Sequence, residues 1–192
     1  MEKKQQNPIK LIIIGCILAA LIVGFYFYLA NKTRGNVAED TTTVTKSQQV
    51  LLRNLENNYP PTPREVLKYY CDIIQCLYNE SHTDDELEKL AKQIQILYDD
   101  EFVANQTEEL YLLSLAGEIA DMSKNDMKIS SYSTSSSTDV EFFTQDNYEW
   151  ARLYCIFNIR KGTQMLTTTE RFLMRKDDAG HWKIYGWELA ES

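Results

Sequence analysis

The chain has 192 residues and a mass of 22.3 kDa, room for one membrane span plus one ordinary domain, or for one larger domain. A hydrophobic share of 44% with 25% charged residues excludes global disorder. A net charge of −8 and a pI near 4.9 argue against a nucleic-acid partner, which would need a basic face. Four cysteines are too few for a disulfide scaffold and two histidines too few for most zinc sites. Neither GxxxxGK[ST] nor GxGxxG occurs, so no metal and no cofactor is expected.

Residues 1–10 form a short tail carrying Lys3, Lys4 and Lys10. Residues 11–30, LIIIGCILAALIVGFYFYLA, hold no charge over a run of 20. At about 1.5 Å per residue such a helix spans roughly 30 Å, the thickness of the hydrocarbon core. Tyr26, Phe27 and Tyr28 stand where an aromatic belt meets the headgroups. A cleaved signal peptide would need small residues in place of FYFYLA. A lipoprotein would turn polar after Cys16, where this run stays apolar. An uncleaved anchor fits best. The lysines of the tail, set against Lys32 and Arg34 beyond the span, favour the N-terminus inside. The expectation is a single-pass protein of the cell membrane with an extracytoplasmic C-terminal part.

Residues 31–60 read as a polar, Thr-rich tether with a short helix possible over residues 48–57, closed by Tyr59-Pro60-Pro61. Residues 61–192 read as the folded domain. Thr62-Pro63-Arg64-Glu65 is a capping box with proline at the first helical position, and Val66, Tyr70, Ile73, Ile74 and Leu77 follow at helical spacing to about Asn79. A second box, Thr83 to Glu86, opens a helix carrying Leu87, Leu90, Ala91, Ile94 and Leu97. A third helix starts at Thr107, with Glu108 and Glu109 placed well against its dipole. After about Asn125 the period becomes two. Residues 127–138 read as a strand, Asp146-Asn147 as a turn, and residues 148–160 as a strand with Ala151, Leu153, Cys155, Phe157 and Ile159 on one face. Lys161-Gly162 reads as a hairpin turn into residues 163–175, and residues 177–180 as a turn into 181–189. Helices first and a strand meander second predict an α+β domain: three helices packed on a curved, mainly antiparallel sheet.

Three helices followed by strands ending in His181-Trp182-Lys183-Ile184-Tyr185-Gly186-Trp187 resemble the nuclear transport factor 2-like superfamily of cone-shaped domains. With the anchor, the tyrosines of the first helix and the run Asn58-Tyr59-Pro60-Pro61-Thr62-Pro63, the whole chain resembles small single-pass membrane proteins of clostridial Firmicutes. The resemblance implies a cone domain in a Gram-positive envelope. The superfamily hosts isomerases, dehydratases, transport adaptors and conjugation scaffolds, so the fold does not choose among functions. No catalytic motif of its isomerases or dehydratases matches here, and no catalytic residue is carried over.

Two candidate sites follow from the strand pattern. With a two-residue turn at Lys161-Gly162, Leu153 faces Glu170, and Glu170 lies on the otherwise apolar face. Desolvation there would raise its pKa and fit it for acid–base work, with Tyr70 of the first helix as its partner; a one-residue slip would turn it to solvent instead. On the opposite face the same register puts Trp150, Arg152, Tyr154 and Ile156, with Arg152 across from Arg171. Tyr185 and Trp187 join them if the last strand alternates in phase. That patch is a candidate contact surface for a second copy or an envelope partner, and the opposed arginines would want an acidic group. Self-covering by the tail or by an N-terminal helix is the alternative. Cys71 and Cys76 lie about 140° apart around a helix and cannot easily pair, and Cys155 leaves an odd number, so buried free thiols are expected rather than a disulfide. The functional expectation is a membrane-anchored binding or scaffold domain, with a small-molecule protein or enzyme using the cone interior as the alternative.

Overall fold

The structure is a computed structural model and describes residues 45–190. The anchor expected over residues 11–30 and its flanking tail lie outside the described residues. Among the described residues no helix is long and apolar enough to cross a membrane.

Among the described residues five helices precede the sheet: α1 (Lys46–Leu51), α2 (Pro63–Asn79), α3 (Asp84–Leu97), α4 (Asp100–Val103) and α5 (Glu108–Lys124). Each begins at a side chain that accepts a hydrogen bond from the orphan N–H groups of its first turn. Thr45, Thr62, Thr83 and Thr107 do this for α1, α2, α3 and α5, and Asp99 does it for α4. Thr83 and Glu86 complete a reciprocal box, whereas the Glu65 carboxylate takes the Thr62 hydroxyl instead of its backbone N–H. Residues N-terminal to the boundary expected at residue 61 pack on the body. The backbone N–H and hydroxyl of Ser47 both donate to Glu80 Oε2, at 3.2 and 2.7 Å, and Leu55 belongs to the core.

The five strands are β1 (Met127–Thr134), β2 (Glu141–Gln145), β3 (Tyr148–Lys161), β4 (Gln164–Lys176) and β5 (Trp182–Leu189). They form one antiparallel sheet in the order β1-β3-β4-β5, with β2 pairing the N-terminal part of β3. The stretch expected as a single strand over residues 127–138 ends at Thr134, and a short 3₁₀ turn (Ser137–Asp139) leads into β2. Asp146 and Asn147 both have positive φ, as a type I′ hairpin requires. In the next hairpin Gly162 has φ +57° and the two-residue loop is Gly162-Thr163, because Lys161 pairs with Gln164. That moves the expected β3–β4 register by two residues: Leu153 faces Phe172 and Cys155 faces Glu170. A shift of two leaves every side chain on its expected face.

α2 and α3 lie over the inner face of the sheet. Leu67, Ile73 and Leu77 of α2 and Leu90, Ile94 and Leu97 of α3 are buried with Leu153, Phe172, Met174 and Ile184 of the strands. At the β5 edge Tyr98 makes a parallel bridge to Ile184, and the Asp99 N–H donates to the Ile184 carbonyl at 2.9 Å. α5 packs on α2, α3 and β1. Its apolar residues run nearly all round the helix, and only Tyr111 and Leu115 are fully buried.

Candidate functional site

The inner face brings Tyr70 and Glu170 toward each other, as the sequence predicts. Tyr70 is buried on α2, its ring 5.6 Å from Phe172, 6.0 Å from Trp187 and 6.1 Å from Tyr98. Glu170 sits between Cys155 on β3 and Leu189 on β5, half-buried. No hydrogen bond reaches its carboxylate among the described residues. Burial without a partner pushes the Glu170 carboxyl up to about 7. Burial first, and the Glu170 charge second, raise the Tyr70 phenol well above its ordinary value.

Two further residues, which the sequence does not single out, share this rim. The Tyr78 hydroxyl donates to Glu118 Oε2 at 2.8 Å, joining α2 to α5. Glu118 remains open to solvent, yet the surrounding protein raises its carboxyl above the ordinary range. Tyr78 in turn is raised by burial, by Glu118 and more weakly by Glu170. An α5 pattern that is apolar on most sides gives no sign of which way Glu118 points, so this pair was not legible in the sequence. The group as a whole could hold or release a proton near neutral pH and offer phenolic donors. It lacks an activated nucleophile: burial pushes the Cys71 thiol well up, and its Sγ lies 3.4 Å from Cys155 Sγ.

Behind Tyr70 the interior is filled by a run of rings. Trp187 stacks on Phe172 at 5.8 Å and on Tyr98 at 5.8 Å, and Phe102 closes the group 5.4 Å from Trp187. A cleft of about 440 Å³ does exist, but it opens beside the ends of α2 and α5. Tyr78, His82, Ala116, Ile119, Asp126 and Met127 are among its lining residues. The two sites meet only at Tyr78.

The outer face differs from expectation at three places. Trp187 is not on it. A bulge between Leu173 and Met174 sets Gly186 opposite Leu173 and Ile184 opposite Met174, so Tyr185 is the extra residue and the alternation of β5 changes phase. Trp182, Ile184 and Trp187 therefore all face inward. Arg152 and Arg171 are not opposed. The two-residue shift places Leu173 across from Arg152 and Tyr154 across from Arg171. Arg152 pairs with Glu141 at 2.9 Å, Arg171 pairs with Glu188, and the demand for an acidic partner disappears. Trp150, finally, is on this face but covered: it is 9% exposed, lies 5.0 Å from Tyr185, and donates from Nε1 to the Gln145 carbonyl. What stays open is smaller: Ile156, 38% exposed, next to half-buried Tyr154, while Met165, 59% exposed, lies apart near the hairpin end beyond Asn158 and Thr167.

No curated protein matches the chain. A family model matches residues 1–187, nearly the whole length, and the chain belongs to that family, described as Domain of unknown function (DUF6715).

Proposed function

We propose that the chain is a single-pass membrane protein that displays an α+β domain of the nuclear transport factor 2-like type outside the cytoplasm, as a binding or scaffold domain of the cell envelope. The filled interior carries this reading. Where catalytic members of the superfamily keep a chamber, Tyr70, Tyr98, Phe102, Phe172 and Trp187 pack against one another. The uncharged run of residues 11–30 supplies the anchor, and the lysines of residues 1–10 supply its orientation. The strip of half-buried Tyr154 and exposed Ile156 is the contact surface, and a second copy of the domain is its first candidate partner. Sedimentation of the soluble domain tests this: the native domain is expected to self-associate, and the Tyr154→Ser, Ile156→Ser double variant to sediment as a folded monomer. A native domain that is monomeric at high concentration removes the self-association arm. Co-purification of the full chain from its own membrane, lost in the same variant, would then identify an envelope partner.

One observation favours a second reading, a small-molecule role. Glu170 lies on the inner face opposite Cys155 with no hydrogen bond to its carboxylate among the described residues, burial pushes that carboxyl up to about 7, and such a group is prepared for a ligand. A ligand-observed NMR screen whose hits disappear in Glu170→Gln would favour this reading over the scaffold.

A further inference from the structure

Beside the Glu170 rim, Cys71 and Cys155 form a close pair of thiols. The two residues are 84 positions apart in sequence, on α2 and β3, and their Sγ atoms lie 3.4 Å apart across the helix–sheet interface. Both residues are completely buried. A bonded pair requires about 2.05 Å, a closure of roughly 1.4 Å between two side chains that already point at each other. Cys76 is the natural control. It lies on the same helix, faces the α1 side, and has Ser47 as its polar neighbour.

We propose that Cys71 and Cys155 are a disulfide site of this fold, tying the central helix to the central strand. The bond forms by exchange with a disulfide-bearing oxidant, either a small disulfide such as oxidised glutathione or a thiol–disulfide oxidoreductase. The thiolate of one cysteine attacks the oxidant and forms a mixed disulfide. The other thiolate displaces the oxidant's second sulfur. One Sγ–Sγ bond is gained and the oxidant's S–S bond is lost. Two electrons pass to the oxidant, and the two protons released by the cysteines end on its two thiols. Burial sets the timing. In the closed domain both thiols are shielded and burial disfavours the Cys71 thiolate, so exchange belongs to the folding chain before α2 seats on the sheet. Once formed, the bond is out of reach of reductants. Its formation in the cell rests on the extracytoplasmic placement proposed above, since a reducing cytoplasm would keep both thiols free.

The test uses the full chain in detergent, reduced and unfolded in denaturant, then refolded in a mixture of reduced and oxidised glutathione. The product is alkylated and digested without reduction for mass spectrometry. The expected result is a single peptide pair, Cys71 joined to Cys155 and lighter by two hydrogens, with Cys16 and Cys76 alkylated. C71S and C155S should each abolish the pair and leave the other cysteine alkylated, and C76S should leave the pair intact. Free, alkylatable Cys71 and Cys155 after refolding, or Cys76 in place of either one, would overturn the site. A second sample, taken from cells quenched with alkylating agent, separates the two readings. The pair present in cells supports both. The pair formed in refolding but absent from cells supports the site and refutes the outward placement.

Discussion

Arg175 lies on the outer face of β4 with its guanidinium 4.6 Å from the Tyr148 ring, 5.1 Å from Tyr185 and 5.8 Å from Trp150. Asp99 takes it bidentately, Nη2 to Oδ1 at 2.6 Å and Nε to Oδ2 at 2.9 Å, and Glu101 accepts from Nη1 at 2.9 Å. The side chains are 12% and 4% exposed, so water cannot replace either partner. A buried pair of this kind adds little net stability over an apolar substitute, but removing one member strands the other charge. Asp99→Asn should therefore cost about 3 kcal/mol in urea denaturation followed by tryptophan fluorescence. Lys89→Ala, which breaks a pair exposed on both sides, should leave the midpoint unchanged. Glu170 supplies the pH dependence. Its folded pKa of about 7 lies above the ordinary 4.5, so between those values the native state holds a proton that the unfolded chain has released. Stability from this group is complete below about pH 4.5 and is lost as pH rises through 7. Between pH 5 and 8 the native chain should lose more stability than Glu170→Gln, by about 1–2 kcal/mol after allowance for its partial exposure. Equal losses would show that the carboxylate is solvated.

At the scale of single elements, the bulge in β5 decides more than any helix does. Without it Gly186 would point into the core and Trp187 into solvent; with it Trp187 becomes the centre of the aromatic group and Tyr185 is released to hold Arg175 and Glu101. The consequence is measurable. Trp187→Ser should destabilise the domain by about 3 kcal/mol, as removal of a large core ring does. Tyr154→Ser on the open strip should cost under about 1 kcal/mol. A Trp187 variant as stable as the native chain would place the side chain back on the surface. The helices, by contrast, follow local chemistry: four threonine caps and one aspartate cap stand where the chain changes direction.

Across the described residues, α1 and the segment after it are fastened to the body. The Tyr69 hydroxyl donates to the Val50 carbonyl at 3.0 Å, the Gln93 amide donates to the Arg53 carbonyl at 3.1 Å, and Leu55 is 5% exposed. A fragment starting at residue 45 should therefore fold cooperatively without the anchor. A fragment starting at residue 61 should unfold at lower denaturant, having left Glu80 and Tyr69 without their α1 partners. Equal midpoints would make α1 an ornament of the tether.

Much of this was legible from sequence because it depends on neighbours in the chain. Caps at Thr62, Thr83 and Thr107, the 3.6-residue stripe of α2 and α3, the alternation of β3 and the Asp146-Asn147 turn are all local, and each stands where the sequence predicts it. Glu170 lies across from Cys155 because a two-residue change of register preserves side-chain parity. What the tertiary structure alone decided is everything that depends on counting across elements. An extra residue in β5 has no signature in Trp-Lys-Ile-Tyr-Gly-Trp, because both phases leave aromatic side chains on both faces. The approach of Asp99 to Arg175, and of Cys71 to Cys155, joins residues 76 and 84 positions apart. No local propensity records such pairs. They appear only when α2, α3 and the sheet share one core, where packing fixes distances that the sequence leaves free.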